Sequence, residues 1–252
     1  MAQPRANLTL SELRDRIQHL EGTASRRKVV LPFGVAEIDG HLPGGGLAYG
    51  ALHEIAGGGT GTVDGAAAAL FAAGIAARTK GKILWCLTRP DLFFPAISQA
   101  GLHADRVIFC EADREEDVLA SMEEGLGFGG LGAVVGELVR LPMTASRRLQ
   151  LAAEKTGTMG IALRRWRRQT EASDFGQPTA ATTRWRVSVL PSEPLPVAGV
   201  GRARWLAELM RVKAGECAEF EIGACDAKGR ICLLPASGHG SDQTAWSRSR
   251  AS

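Results

Sequence analysis

An apolar stretch ending in His53-Glu54-Ile55-Ala56 runs into a glycine-rich loop, which opens an alanine-rich run from Asp64 to Arg78. This strand–loop–helix order constrains the fold of the 252-residue chain more than any other feature. The next hundred residues repeat the alternation. Lys82–Leu87 reads as a buried strand, Pro90–Leu102 as a helix and Val107–Cys110 as a strand. Asp113–Leu126 reads as a helix opened by a capping-box pair, Asp113 and Glu116. Leu131–Val139 is the next strand, Ala145–Thr156 the next helix and Gly160–Leu163 a short strand. Asp64 is placed as the N-cap of the alanine-rich helix. Strands separated by helices of this length build a parallel sheet with helices on both faces.

The pattern changes after Gln169. Arg184–Leu190, Arg204–Ala214, Glu219–Gly223 and Arg230–Leu234 are strand-like without helices between them, which predicts an antiparallel continuation. Upstream, Leu8–Leu20 reads as a short amphipathic helix, with Leu10, Leu13 and Ile17 on one stripe. Its stripe must be buried on its own domain or on a neighbouring subunit. The chain therefore divides into a helix and linker over residues 1–28, a core over 29–235, and a Ser/Gly/Arg-rich tail over 236–252 that is expected to be disordered.

Charge narrows the function by its distribution, because the formal net charge is only +3. Glu111 to Glu124 carries seven acids and one arginine, whereas Arg140 to Gln169 carries eight basic residues and one acid. The five cysteines (Cys86, Cys110, Cys217, Cys225 and Cys232) form no C-x-x-C pair and read as reduced thiols. The five histidines have no metal-ligand spacing, so no metal site is expected. Arg5, Arg14, Asp15 and Arg16 interrupt any signal-like run, and Ala66–Ala77 is too short to span a bilayer. The expectation is a cytoplasmic protein that does not engage the membrane.

The segment from Gly34 to Ile55 resembles the start of a RecA core. It carries Gly34-Val-Ala-Glu-Ile-Asp39, then Gly44-Gly45-Gly46, then Gly50-Ala-Leu-His-Glu54-Ile55. The resemblance covers roughly Leu31 to Leu234. It implies an α/β fold with a RecA-like core: a mostly parallel sheet flanked by helices, with antiparallel strands toward the C-terminus. In that family the Glu-Ile strand feeds a P-loop, whose backbone amides, lysine and hydroxyl hold phosphate and Mg²⁺. Here Gly57 matches, but Thr62 takes the second glycine, Val63 the lysine and Asp64 the hydroxyl position. The metal-side acid falls on Gly136, with Glu137 one residue away, and the water-activating acid falls on Arg89. A carboxylate at Asp64 competes with a phosphate for the same helix N-terminus. The resemblance thus implies a retained fold without ATP hydrolysis and without a cofactor.

A chain of this length with such a loop and a basic C-terminal part is similar to the ImuA family of damage-induced mutagenesis accessory proteins. That likeness implies a translesion-synthesis assembly with an ImuB-like Y-family polymerase homologue and an error-prone C-family DNA polymerase. RecA and DNA are further candidate partners. A SulA-like cell-division inhibitor and a DNA-dependent ATPase with an unorthodox P-loop are the alternatives.

Three stretches interleave arginine with tryptophan: Arg164-Arg165-Trp166-Arg167-Arg168, Arg184-Trp185-Arg186 and Arg202-Ala-Arg204-Trp205. The first two flank Gln169–Thr183, where RecA-like proteins carry a mobile DNA-contacting loop. Arginines there supply phosphate contacts, and an exposed tryptophan stacks on bases. Trp185 and Trp205 alternate with arginine in strand-like runs, which favours core tryptophans with the arginines on a solvated face. The Trp166 cluster is read as a DNA- or partner-binding surface.

Overall fold

The computed structural model describes residues 29–59, 61–166, 169–192, 195 and 197–234. Its first element is a two-stranded antiparallel ribbon of β1 (Val30–Leu31) and β2 (Leu47–Ala48), with a short helix α1 (Ala36–Asp39) between the strands. The alternating part comes next. It contains β3 (Leu52–Gly57), α2 (Thr62–Ala77), β4 (Ile83–Leu87), α3 (Phe94–Gln99), β5 (Val107–Glu111), α4 (Glu115–Phe128), β6 (Ala133–Leu138), α5 (Met143–Thr156) and β7 (Met159–Arg164). A helix α6 (Gln169–Ala172) and a 3₁₀ turn (Ser173–Gly176) lead to β8 (Thr183–Leu190), β9 (Arg204–Val212), β10 (Ala218–Gly223) and β11 (Cys232–Leu233).

The large sheet has nine strands in the order β11-β10-β9-β8-β3-β7-β6-β4-β5. From β8 to β5 all neighbours are parallel, and from β8 to β11 all are antiparallel. The change of direction falls where helices stop separating the strands, as the sequence predicts.

Each face of the sheet has its own core. On one face, α2 buries Ala68, Phe71, Ala72 and Ile75 against Trp85, Trp185 and Trp205. The alanines let the helix lie close to the sheet, and Phe33, Phe71 and Trp185 fill the remaining space as mutually packed rings. Arg106 closes the far end of α2 by donating to the carbonyls of Ala77, Thr79 and Gly81. On the other face, α4 and α5 bury Val118, Met122, Leu126, Leu149 and Ala153 over Leu52, Cys86, Val134 and Ala162. Both helices end on glycines with positive φ, Gly129 (76°) and Gly157 (81°), the left-handed geometry that frees the last carbonyls for capping.

Three local expectations are corrected. The helix expected over Pro90–Leu102 is confined to Phe94–Gln99, because Pro95 is tolerated only in a first turn and would break a helix begun at residue 90. The Asp113–Glu116 capping box does not form, since α4 starts at Glu115 with Arg114 in extended conformation before it. Instead the Glu115 carboxylate accepts from the backbone N–H groups of Val139 (2.7 Å) and Arg140, joining α4 to the end of β6. Asp64 is the third residue of α2, not its cap, which is Gly61. The expected helix carrying Leu10, Leu13 and Ile17, and the tail over 236–252, lie outside the described residues.

Candidate functional site

β3 carries the chain to the C-terminal edge of the parallel strands, and the glycine loop there is pressed onto β8. Gly58 donates its N–H to Val187 O at 2.8 Å, and a Cβ on Gly58 would collide with Ser188 Oγ. A Cβ on Gly57 would stand 2.8 Å from the Asp64 carbonyl carbon, so both positions require the smallest residue. Thr62 opens α2, followed by Val63, which is 63% exposed. Asp64 Oδ1 accepts from the backbone N–H of Val189 at 2.8 Å. Its other oxygen stands over the loop, where a Cβ on Gly59 would lie 2.5 Å away. Asp64 thus pins the first turn of α2 to the end of β8 and places negative charge at the positive end of the helix dipole.

Around this loop lie two acid-centred clusters, on opposite faces of the sheet. Period-two alternation explains the split, because Arg164 and Arg165 are consecutive at the end of β7 and leave it in opposite directions. Arg164 is sealed inside. Its Nη1 donates to Glu54 Oε1 at 2.6 Å, and its Nη2 reaches Asp174 and Val139 O. Arg184 donates from Nε to Glu54 Oε2 at 2.8 Å, and Thr179 donates its hydroxyl to the same oxygen at 3.0 Å. Glu54 and the Arg164 side chain have no exposure, and the Arg184 side chain has 8%.

The second cluster sits at the rim. Glu137 accepts from Trp85 Nε1 at 2.9 Å and pairs with Arg165, which also holds Asp91 at 2.7 Å. Burial pushes the Glu137 carboxyl up from its ordinary range, and the Arg165 charge and the Trp85 hydrogen bond oppose that shift. Burial works against the Arg165 cation, yet Glu137 and Asp91 outweigh it and raise the guanidinium pKa. Gly136, one residue before Glu137, faces α4, where a Cβ would overlap Met122 Sδ. Arg89 is exposed after β4. So of the residues expected around a nucleotide, Gly57 lies in the loop and Thr62, Val63 and Asp64 form the first turn of α2 after it, whereas Gly136 faces the opposite side of the sheet.

The arginines expected on a binding surface are divided by this geometry. Arg164 and Arg184 are interior ion-pair partners, which corrects their assignment to a DNA- or partner-facing surface: each is enclosed by the carboxylate it neutralises. It also corrects the expectation that arginines flanking Trp185 lie on a solvated face. Arg186 is partly exposed and paired with Glu208, whose hydrogen bond raises the guanidinium pKa. Trp166 is half-buried with its ring 5.6 Å from Phe175. Arg167 and Arg168 lie outside the described residues. The contributions of Asp91, Thr179 and Asp174 were not visible in the sequence. Glu54 did carry a signal, since a carboxylate among the apolar residues of β3 requires a cationic partner.

Beside Glu54 on β3, His53 faces the other core. Its Nε2 lies 2.9 Å from Ala48 O and its Nδ1 lies 2.8 Å from Thr183 Oγ1, which also accepts from Trp185 Nε1. Complete burial lowers its pKa to about 4, so the ring is neutral, with Nε2–H the donor to Ala48.

A nine-stranded α/β sheet of this order, with a glycine loop between β3 and α2, defines a RecA-like core. No model of a known protein family matches the chain. Among curated proteins it is similar to the Protein ImuA of two strains of Caulobacter vibrioides, NA1000 / CB15N and ATCC 19089 / CIP 103742 / CB 15. Each is 39% identical over 196 residues, covering 74% of this chain and 80% of the relative. The chain belongs to the ImuA family. No helix among the described residues is long and apolar enough to cross a membrane.

Proposed function

We propose that this protein is a non-catalytic, RecA-like accessory protein of a damage-induced, error-prone translesion DNA synthesis complex. Kinship with Protein ImuA at 39% identity is the observation that carries the reading. Its partners are then an ImuB-like Y-family polymerase homologue and an error-prone C-family DNA polymerase, with RecA and DNA as further candidates, and its location is the cytoplasm.

The absence of ATP chemistry is part of the same proposal. Val63 supplies no cation where a phosphate-binding lysine is needed, and Asp64 puts a carboxylate beside the loop and is held there by Val189. Arg89 has no basic lone pair with which to activate water. Glu137, the acid nearest the metal position, is engaged by Arg165 and Trp85. Calorimetry with ATP and Mg²⁺ tests this half: no binding is expected, and micromolar binding that depends on Asp64 or Glu137 overturns it. Pull-down of the purified protein against ImuB-like and RecA proteins tests the other half. Capture of neither, together with cell filamentation on overexpression, favours the division-inhibitor alternative instead.

The DNA-facing role of Arg165, Trp166, Arg167 and Arg168 stays within the proposal, now without Arg164 and Arg184. Charge reversal at Arg167 and Arg168 should reduce DNA binding and flatten its salt dependence. Unchanged DNA binding with reduced partner capture assigns the cluster to protein contact.

A further inference from the structure

On the β4–β5 ladder Cys86 stands directly opposite Cys110. Neighbouring strands of a sheet lie about 4.8 Å apart, inside the roughly 4.4–6.8 Å that separates the Cα atoms of a disulfide. Residues in register point to the same face, here the one covered by α4. Cys86 is a fully buried member of the core on that face, and the half-buried Cys110 packs against it. The two thiols are hydrogen-bonded to each other, and Cys110 Sγ also donates to Ser121 Oγ at 3.4 Å.

Both are free thiols in this structure. Among the described residues no other two cysteines share a rung of a ladder. Cys232 stands opposite Gly223, and the exposed Cys217 donates its thiol to Met210 O at 3.1 Å. The position in the fold matters as well. β5 is the outermost strand of the sheet and pairs with β4 alone, so a covalent bond at this rung staples an edge strand that one ladder holds.

We propose that Cys86 and Cys110 form a reversible disulfide when a small disulfide oxidant, such as glutathione disulfide, reaches Cys110. The order of attack follows from burial, which pushes the Cys86 thiol up to about 12 and makes it a poor first nucleophile. The Cys110 sulfur attacks the S–S bond of the oxidant and releases one thiol. The Cys86 sulfur then attacks the Cys110 sulfur, breaks the mixed disulfide and releases the second. Two protein thiols are oxidised to one disulfide, the oxidant is reduced to two thiols, and the two cysteine protons leave on them.

Treating the folded, reduced full-length chain with glutathione disulfide, then alkylating it and mapping its peptides by mass spectrometry, tests this. The expected product is a Cys86–Cys110 cross-linked peptide, two hydrogens lighter than the reduced pair, which a thiol reductant reverses. Amide exchange in β5 should be several-fold slower while the cross-link persists. In Cys86→Ala, Cys110 should stop at the mixed disulfide with glutathione. The wild-type map decides the matter by itself if C86A fails to fold. Cys110 that remains alkylatable while the exposed Cys217 is converted overturns the proposal. So does wild-type Cys110 that stops at the mixed disulfide, and so does a cross-link that forms only in denaturant. A cross-link that leaves β5 exchange unchanged overturns the staple.

Discussion

The clusters around Glu54 and Glu137 use the same chemistry, a carboxylate held by an arginine from the end of β7, in opposite surroundings. Glu54 and Arg164 are fully enclosed, whereas the Arg165 side chain keeps 29% of its surface in water. In the sealed cluster Glu54, Arg164 and Arg184 depend on one another, because a charge stranded among them has no solvent to return to, while Asp174 at its edge keeps 28% of its side chain in water. At the rim, Arg165 and Asp91 keep 29% and 48% of their side chains in water, so solvent and salt replace either of these partners, although Glu137 itself is 7% exposed. The first cluster therefore belongs to the fold. It ties β3 to β7 and β8, and through Asp174 and Thr179 it anchors the segment between those last two strands. The second lies where the sheet meets its surroundings and is the one open to exchange.

The sharpest way to break this comparison is Arg164→Ala. It leaves Glu54 buried with less compensation and should cost about 3–5 kcal/mol in denaturant unfolding. Combining it with Glu54→Gln should recover part of that loss. A cost below about 1 kcal/mol, the range of exposed pairs, would place the Glu54 cluster in water and end the distinction.

Acid titration separates the sealed cluster from its neighbour His53. The folded ring titrates at about 4 and an unfolded one near 6.5, so between those values the unfolded chain binds more protons. The stability linked to His53 is complete above about pH 6.5 and is lost as pH falls toward 4, by roughly 3 kcal/mol at most. Thermal melts across this window should show the loss in wild type and a reduced loss in His53→Gln.

At the rim, Glu137→Ala should cost about 1–3 kcal/mol, because Glu137 is only 7% exposed and its loss leaves the buried Trp85 N–H without its acceptor while Arg165 keeps Asp91. Added salt should shrink that cost while leaving the effect of Arg164→Ala unchanged. An equal salt response in both would show that the two sites share one environment. The smallest effect belongs to Asp64→Ala, which removes one hydrogen bond to Val189 and should cost about 1 kcal/mol in the same unfolding assay.

Much of the fold was legible in the sequence because hydrophobic period and glycine position are local signals. The alternation from β3 to β7 and the switch to antiparallel strands after it follow from where helices separate apolar runs. The core placement of Trp185 and Trp205 follows from strand alternation. The helix bounds near Pro95 and Glu115 were less legible, since tertiary contacts such as Glu115 to Val139 choose the first turn.

The sequence alone determined the residue at each position from Gly57 to Asp64, and so the lack of a lysine at position 63 and of a hydroxyl at position 64. It also determined that Glu54, among apolar neighbours, needs a cation. Which cation only the tertiary structure decided. Arg164 and Arg165 are equivalent as letters, yet one is buried against Glu54 and the other reaches Glu137 and Asp91 on the opposite face. Two arginines one residue apart on a strand must point to opposite sides, but which side holds which carboxylate depends on the register of strands far apart in the chain.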